Sequence, residues 1–289
     1  MDTKIVRYIL CRMLGVEAAL LLVPVLVAVI YQEKCGIVFL IPIVILCLLF
    51  WVVGRKRPEH GQIYGKEGMV IVALAWILWS LFGAMPFTLS GYIPSYVDAF
   101  FETVSGFTTT GSSIIPDVEV LPHCLLFWRS FTHWIGGMGV LVFVLVVTSL
   151  DRKNSMHLMR AEVPGPEKDK LVPKAMSTAR ILYGMYLTLT VIEMVFLVIG
   201  GMNLFDSMIF SFGSAGTGGF SNYADSVAHF NSAYIDGVIT VFCALFGVNF
   251  ALFYFMILGD FKSILKNEEL RTYILLIAGA TAAIRSEEH

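Results

Sequence analysis

Charged residues are scarce in this sequence. They make up 15% of its 289 residues, whereas soluble proteins carry roughly 25%. Hydrophobic residues reach 57%, and several apolar runs approach the ~20 residues that a membrane-spanning helix needs. Together these features exclude an ordinary soluble domain and indicate a protein that crosses the membrane several times.

The sequence also lacks the usual signatures of catalysis and cofactor binding. It has no paired intramembrane carboxylates, no recognisable Ser–His pairing, no metal motif and no nucleotide-binding loop. We therefore expect no enzyme activity, no catalytic residue, no bound cofactor and no nucleic-acid partner. The five cysteines show no metal or redox spacing and are expected to be buried thiols, with a Cys35–Cys124 bridge as the alternative.

Six apolar runs are long enough to span a membrane: 14–30, 37–53, 69–89, 125–150, 179–199 and 235–258. A seventh run, 273–284, would rise only about 18 Å as a helix. No small-residue cleavage site follows the first run, so we expect it to be a retained span rather than a signal peptide.

Lysine and arginine are confined to alternate connections. None occurs between Lys66 and Arg129 or between Arg180 and Lys262. The positive-inside rule therefore predicts a multi-pass inner-membrane protein with a cytoplasmic N-terminus and a basic inner loop over 152–174. The bare outer connections carry acids, which predict a cation-attracting mouth, with ordinary loop charge as the alternative. These acids are Asp98, Glu102, Asp117, Glu119, Asp206, Asp225 and Asp236.

Two Thr-Gly segments lie in these outer connections, each after a short amphipathic run. They are Thr108-Thr109-Thr110-Gly111 and Ala215-Gly216-Thr217-Gly218. Aligning Thr110-Gly111 with Thr217-Gly218 gives an offset of 107 residues, one less than the spacing of Asp98 and Asp206. A short helix that enters the membrane, turns and leaves is typical of an ion-selective pore loop, where backbone carbonyls replace the hydration shell. We predict that these eight residues bind ions; plain loops are the alternative.

Several residues inside the apolar runs also carry information. His133-Trp134-Ile135-Gly136-Gly137-Met138-Gly139 is rich in small residues, which favours close helix packing, with pore lining as the alternative. Arg129 and Glu193 are expected to be paired interhelical anchors, because charge is costly in a membrane. His133 is expected to be a hydrogen-bonded structural histidine.

These motifs resemble the Trk/Ktr/HKT superfamily of potassium transporters, in particular its TrkH/KtrB-type pore subunits. The resemblance rests on the segments 101–113, 133–139 and 216–221. It implies an all-α polytopic protein in which four helix–pore-loop–helix units surround a pseudo-fourfold pore, preceded by two extra helices. It also implies K⁺ as the transported ion, since glycine at the filter positions accompanies potassium preference and serine in the first filter accompanies sodium permeation. A homodimer and a cytoplasmic nucleotide-binding regulatory subunit of the TrkA/KtrA type are implied in the same way.

By this resemblance the chain holds two of the four units. We expect two N-terminal helices over 1–67, the first unit with its cytoplasmic loop over 68–175, the second over 176–270, and the start of a third over 271–289. The gate residues would belong to the other half. We predict the N-terminal half of a pore-forming subunit for potassium uptake. The alternative is a truncated, non-conducting fragment or an assembly partner of a potassium transporter.

Overall fold

The computed structural model describes residues 3–54, 65–139, 175–257, 259–260, 264 and 266–287. Every regular element among these residues is helical, which confirms the all-α prediction. The α-helices are α1 (Thr3–Leu20), α2 (Leu22–Ile30), α3 (Leu40–Leu49), α4 (Gly65–Leu89), α5 (Tyr96–Phe107), α6 (His123–Gly137), α7 (Ala175–Ile199), α8 (Leu204–Ala215), α9 (Ala233–Phe246), α10 (Phe250–Ile257) and α11 (Glu268–Glu287). Short 3₁₀ helices cover Lys34–Phe39, Val118–Val120 and Ser226–Phe230, and a π-helical turn covers Phe50–Gly54.

Four helical stretches are long and apolar enough to cross a membrane. They are Thr3–Ile30, Lys34–Gly54, Glu67–Leu89 and Ile181–Ile199. They coincide with four of the predicted runs, 14–30, 37–53, 69–89 and 179–199. The protein is therefore a multi-pass, all-α membrane protein, as its hydropathy predicts.

The other runs differ from the expected continuous spans. Run 235–258 is broken, because α9 ends at Phe246 and α10 begins at Phe250. Gly247 lies at the break, and glycine weakens a helix interior by about 1 kcal/mol. In run 125–150, α6 ends at Gly137, and residues 140–150 lie outside the described residues, as does the basic loop 152–174. Helix α11 extends beyond run 273–284 at both ends.

Two sets of three helices share one arrangement. In the first set α5 packs between α4 and α6, and in the second set α8 packs against α7 and α9. Helices α4 and α7 each have 25 residues, and α5 and α8 each have 12. We call these sets unit one and unit two. Helix α8 also packs against α6, which joins the units, while α1 packs on α4 and α2 packs on α6.

Aromatic packing fixes how deep α5 reaches. Phe107, its last residue, meets Trp79 of α4 and Trp128 of α6, with ring centroids 5.6 and 6.1 Å away. Trp128 also donates from Nε1 to the Gly83 carbonyl oxygen at 2.9 Å. Trp79 is ten residues from the end of α4, or about 15 Å along the helix axis. The C-terminal end of α5 therefore lies about halfway through a ~30 Å hydrocarbon layer.

The five cysteines are all free in the structure, including Cys35 and Cys124. The bridge between these two, considered as an alternative from the sequence, is not formed.

Candidate functional site

Both short helices begin with a side-chain cap. The Ser95 hydroxyl accepts from the Asp98 amide at 3.4 Å at the start of α5, and the Asn203 side chain accepts from the Asp206 amide at 2.8 Å at the start of α8. Such caps satisfy amides that have no partner inside the helix. The two caps lie 108 residues apart, so α5 and α8 start in the same register.

The chain leaves both helices through the same hydrogen bonds. After α5, the amides of Thr108, Thr109 and Thr110 donate to the carbonyls of Val104, Gly106 and Ser105. After α8, the amides of Gly216, Thr217 and Gly218 donate to the carbonyls of Phe212, Ser214 and Gly213. Each bond is repeated 108 residues later. The offset of 107 predicted from the letters Thr-Gly is therefore wrong by one residue, and the structural partners of 108–111 are 216–219.

An uncommon backbone conformation occurs at matched places in both turns. Thr109 has φ +56° and Thr217 has φ +53°, while Gly111 has φ +78° and Gly219 has φ +79°. A positive φ is rare for a β-branched residue, and such conformations concentrate at functional sites. We call residues 108–113 the first turn segment and residues 216–221 the second turn segment.

The two turn segments meet each other. A Cβ added at Gly111 would collide with the Gly218 carbonyl oxygen, and one at Gly218 would lie 2.8 Å from the Thr109 carbonyl oxygen. Backbone therefore approaches backbone without intervening side chains. The Thr108 and Thr110 hydroxyls lie 2.8 Å apart, and the side chains of Thr108, Thr110 and Thr217 are exposed.

Of the eight residues predicted to bind ions, seven lie at the turns and one does not. Ala215 is the last residue of α8 and is buried. Gly219, which the sequence-based set omits, takes the place equivalent to Gly111. The common spacing of Asp98 and Asp206 was the signal that pointed to this register.

The glycines near the end of α6 lie between the two turns. A Cβ at Gly136 would collide with the Phe107 carbonyl oxygen, and one at Gly137 would lie 2.9 Å from the carbonyl oxygen of Ala215. One helix end thus touches the backbone that leads into both turn segments. This confirms the prediction of close packing for these two glycines.

His133 supports the second turn segment through its ring. The imidazole stacks on Phe220 with centroids 3.9 Å apart and also closes against Gly218. Neither ring nitrogen has a hydrogen-bond partner among the described residues. The histidine is therefore held by stacking and not by the expected hydrogen bond.

A buried ion pair links the two turn segments. Arg129 Nε lies 2.6 Å from Glu102 Oε1, with side-chain exposures of 3% and 0%. Glu102 also accepts from the Ser113 hydroxyl at 3.0 Å and the Ile114 amide at 2.9 Å. Arg129 donates to the Ser221 carbonyl at 2.9 Å. The expectation that Arg129 is a paired anchor is confirmed.

Asp206 is also buried, within a neutral hydrogen-bond network. Its carboxylate accepts from Asn203 Nδ2 at 2.7 Å, Asn222 Nδ2 at 2.6 Å and the Tyr223 hydroxyl at 2.9 Å. The side chain is 3% exposed. Glu102 and Asp206 were therefore wrongly assigned to a solvent-facing acidic mouth, because hydropathy does not reveal which acids find partners.

Glu33, just before α3, holds the start of α6. Its carboxylate accepts from the amides of His123 at 2.8 Å and Cys124 at 3.0 Å, and it contacts His123 Nδ1 at 2.9 Å. Burial alone would raise the pKa of Glu33, but these hydrogen bonds favour its charged form, and the net effect is a lowered pKa. This contact ties the N-terminal helices to unit one.

Comparisons with known proteins agree with this geometry. The sequence profile of the family described as "TrkH: Cation transport protein" matches residues 36–286. The Trk system potassium uptake protein TrkH of Escherichia coli K12 is 35% identical over 261 residues, covering 88% of this chain and 53% of the relative. An uncharacterized cation transporter of Methanocaldococcus jannaschii is 33% identical over 243 residues, covering 83% of this chain and 50% of the relative.

A solved structure is similar as well. The crystal structure of the potassium transporter TrkH from Vibrio parahaemolyticus superposes with a TM-score of 0.81 at 29% identity, covering 95% of this chain and 57% of that one. The chain therefore spans about half the length of the relatives it matches.

Proposed function

The chain belongs to the TrkH family of cation transport proteins, and from this premise we propose that it supplies two walls of a potassium-selective pore. The observation that carries the proposal is the contact between two turns of the same unusual conformation, with positive φ at Thr109 and Thr217 and at Gly111 and Gly219. Relatives named as potassium uptake proteins favour K⁺ as the ion.

The chemistry of this place suits a dehydrated monovalent cation. Helices α5 and α8 direct their C-terminal ends, which carry partial negative charge, towards the turn segments. Backbone carbonyls of residues 108–111 and 215–218, together with Gly219, would replace water around the ion. Non-helical backbone at this depth is tolerated only where it is buried in protein or faces a water-filled path.

Two walls do not enclose an ion. We propose that the other walls come from a complementary half like that of the longer relatives, with the N-terminus of this chain in the cytoplasm of a cell with an inner membrane. A homodimer and a TrkA/KtrA-type nucleotide-binding regulator are the partners that the family resemblance favours. The division of the chain at 67/68, 175/176 and 270/271 stays a prediction.

Gly111→Ser tests the assignment of the first turn. The measurement is K⁺ and Na⁺ uptake in a host that lacks its own potassium transport, with the chain expressed alone and joined to the complementary half of a relative. We expect the joined form to take up K⁺, and Gly111→Ser to raise Na⁺ uptake relative to K⁺ by about tenfold, a ΔΔG of about 1.4 kcal/mol.

Gly91→Ser is the matched control. Gly91 has φ +80°, as strained as Gly111, but nothing lies within 4 Å of an added Cβ. Its substitution should leave the ion preference unchanged. Equal selectivity in the Gly111→Ser variant and the unsubstituted protein, at equal amounts in the membrane, would contradict the filter assignment. Uptake by the chain alone would indicate that copies of this chain complete each other.

A further inference from the structure

Helix α7 buries a single stripe of side chains against the rest of unit two. Its members follow helical spacing and include three polar residues: Leu182, Tyr186, Thr190, Glu193 and Leu197. The first two polar members are paired with α6. The Tyr186 hydroxyl donates to the Trp134 carbonyl at 2.8 Å, and Trp134 Nε1 donates to the Thr190 hydroxyl at 3.1 Å. Glu193 continues the same stripe.

Glu193 is enclosed by neutral groups. It is 0% exposed, and neither carboxyl oxygen has a hydrogen-bond partner of good geometry among the described residues. Ser214 of α8 is its polar neighbour, Cys243 of α9 faces it, and Tyr186 precedes it on α7. The expectation that Glu193 is an ion-paired anchor is not met within the described residues. An isolated carboxylate is costly in such a place, whereas a neutral carboxylic acid can donate one hydrogen bond.

Ser214 connects this acid to the second turn segment. Its carbonyl accepts from the Thr217 amide at 2.9 Å, the bond that closes the turn at the residue with φ +53°. A group that fixes Ser214 therefore also fixes the carbonyls that follow it. All the residues in this line belong to unit two, so the arrangement does not depend on a complementary half.

Unit one has no acid at the equivalent position. Counting back six residues from the ends of α4 and α7 gives Gly83 and Glu193. Gly83 is packed against Thr103, Phe107 and Trp128, so aromatic side chains fill the place behind the first turn segment. The acid is thus specific to the second turn segment.

We propose that Glu193, as a neutral acid, is a positioning residue that donates to the Ser214 hydroxyl and holds the second turn segment in its ion-selective shape. This inference rests on the proposed function for its effect on ion selectivity, but its structural part does not. The carboxyl lies behind the turn and does not touch the ion.

The test compares Glu193→Gln with Glu193→Ala in the full-length joined subunit, with K⁺ and Na⁺ uptake measured at equal amounts of protein in the membrane. Glutamine keeps a donor in the same place and should retain the K⁺ preference. Alanine should lower it about fivefold, the effect expected from one lost hydrogen bond. Ser214→Ala should reproduce the loss, and adding it to Glu193→Ala should change nothing further. Val195→Ala, on the exposed side of α7, is the control.

Infrared spectroscopy supplies a readout that needs no transport. The purified chain should show the carbonyl band of a protonated carboxylic acid, and Glu193→Gln should remove it. Loss of the K⁺ preference in Glu193→Gln, no loss in Glu193→Ala, or no such band would each overturn the inference. If the unsubstituted protein has the band but does not favour K⁺, the proposed function fails and the neutral acid stands.

Discussion

Units one and two form the same turn but brace it with different chemistry. Unit one places a buried ion pair, Glu102–Arg129, beside the first turn segment. At the matching positions of unit two stand Phe210 and Ile239, and the buried acid of that unit, Glu193, has no cation opposite it among the described residues. The positive φ values nevertheless agree to within a few degrees. The turn conformation is therefore compatible with two kinds of support.

The ion pair has a reach that the neutral acid lacks. Taking two charges out of water is costly, and their attraction offsets that cost only when further hydrogen bonds satisfy them. Glu102 finds these on the first turn segment at Ser113 and Ile114, and Arg129 finds one on the second at Ser221. Unit one therefore holds both turns together, whereas the groups around Glu193 act within unit two.

The largest difference between the units should appear on removal of Arg129. Arg129→Met leaves the Glu102 carboxylate buried and unpaired, so we expect the free energy of unfolding to fall by about 3–5 kcal/mol. Unfolding of the purified chain in detergent, followed by the near-ultraviolet signal of its aromatic residues, measures this loss.

Two variants sharpen the result. Ile239→Met changes the matching position of unit two and should cost less than about 1.5 kcal/mol, as volume-conserving apolar substitutions do. Glu102→Gln combined with Arg129→Met removes both charges and should recover part of the stability. If Arg129→Met costs no more than Ile239→Met, the ion pair is not what distinguishes unit one.

A second contrast lies at the start of the short helices, where Asp98 and Asp206 share one register. Asp206 accepts three side-chain hydrogen bonds, whereas within the described residues the side chain of Asp98 accepts none. Asp206→Asn turns one acceptor into a donor facing other donors, and we expect it to cost about 2 kcal/mol. Asp98→Asn should cost about 0.5 kcal/mol, mainly from the helix dipole.

The same unfolding measurement in detergent compares these two variants. Because both lose one charge at the same helical position, the dipole contribution cancels between them. Similar losses in the two variants would show that the network around Asp206 contributes no stability of its own.

Much of the fold could be predicted because it depends on local composition. Runs such as 69–89 and 179–199 became helices α4 and α7, since about twenty apolar residues have few alternatives in a membrane. The two Thr-Gly segments were recognised for a similar reason, because short polar stretches between apolar runs mark turns. Even so, matching the letters Thr-Gly put the repeat one residue out of register, which the helix caps at Ser95 and Asn203 correct.

The partners of buried polar groups could not be predicted in this way. Glu102 and Arg129 are 27 residues apart on different helices, and only the packing of α5 on α6 brings them together. From the sequence, Glu102 looked like a loop acid and Glu193 like one half of an ion pair. Which acid is paired depends on the distance and direction of side chains across helices, and hydropathy and charge sorting contain neither.

The smallest expected difference concerns how α6 and α9 begin. The start of α6 is held from outside the unit by the Glu33 carboxylate, whereas α9 is capped by its own Ser232, whose hydroxyl accepts from the Ile235 amide at 3.5 Å. Glu33→Gln and Ser232→Ala should each lower the free energy of unfolding by about 1 kcal/mol near neutral pH. Only the Glu33 contribution should depend on pH. The pKa of Glu33 is lowered by folding, so its stabilisation is complete above the ordinary range of a glutamate and is lost as the pH falls through the lowered value. Unfolding measured from neutral to acidic pH should therefore show the loss in Glu33→Gln shrinking towards zero, while the loss in Ser232→Ala stays constant. A Glu33→Gln loss that does not change with pH would mean that the carboxylate holds α6 by shape and not by charge.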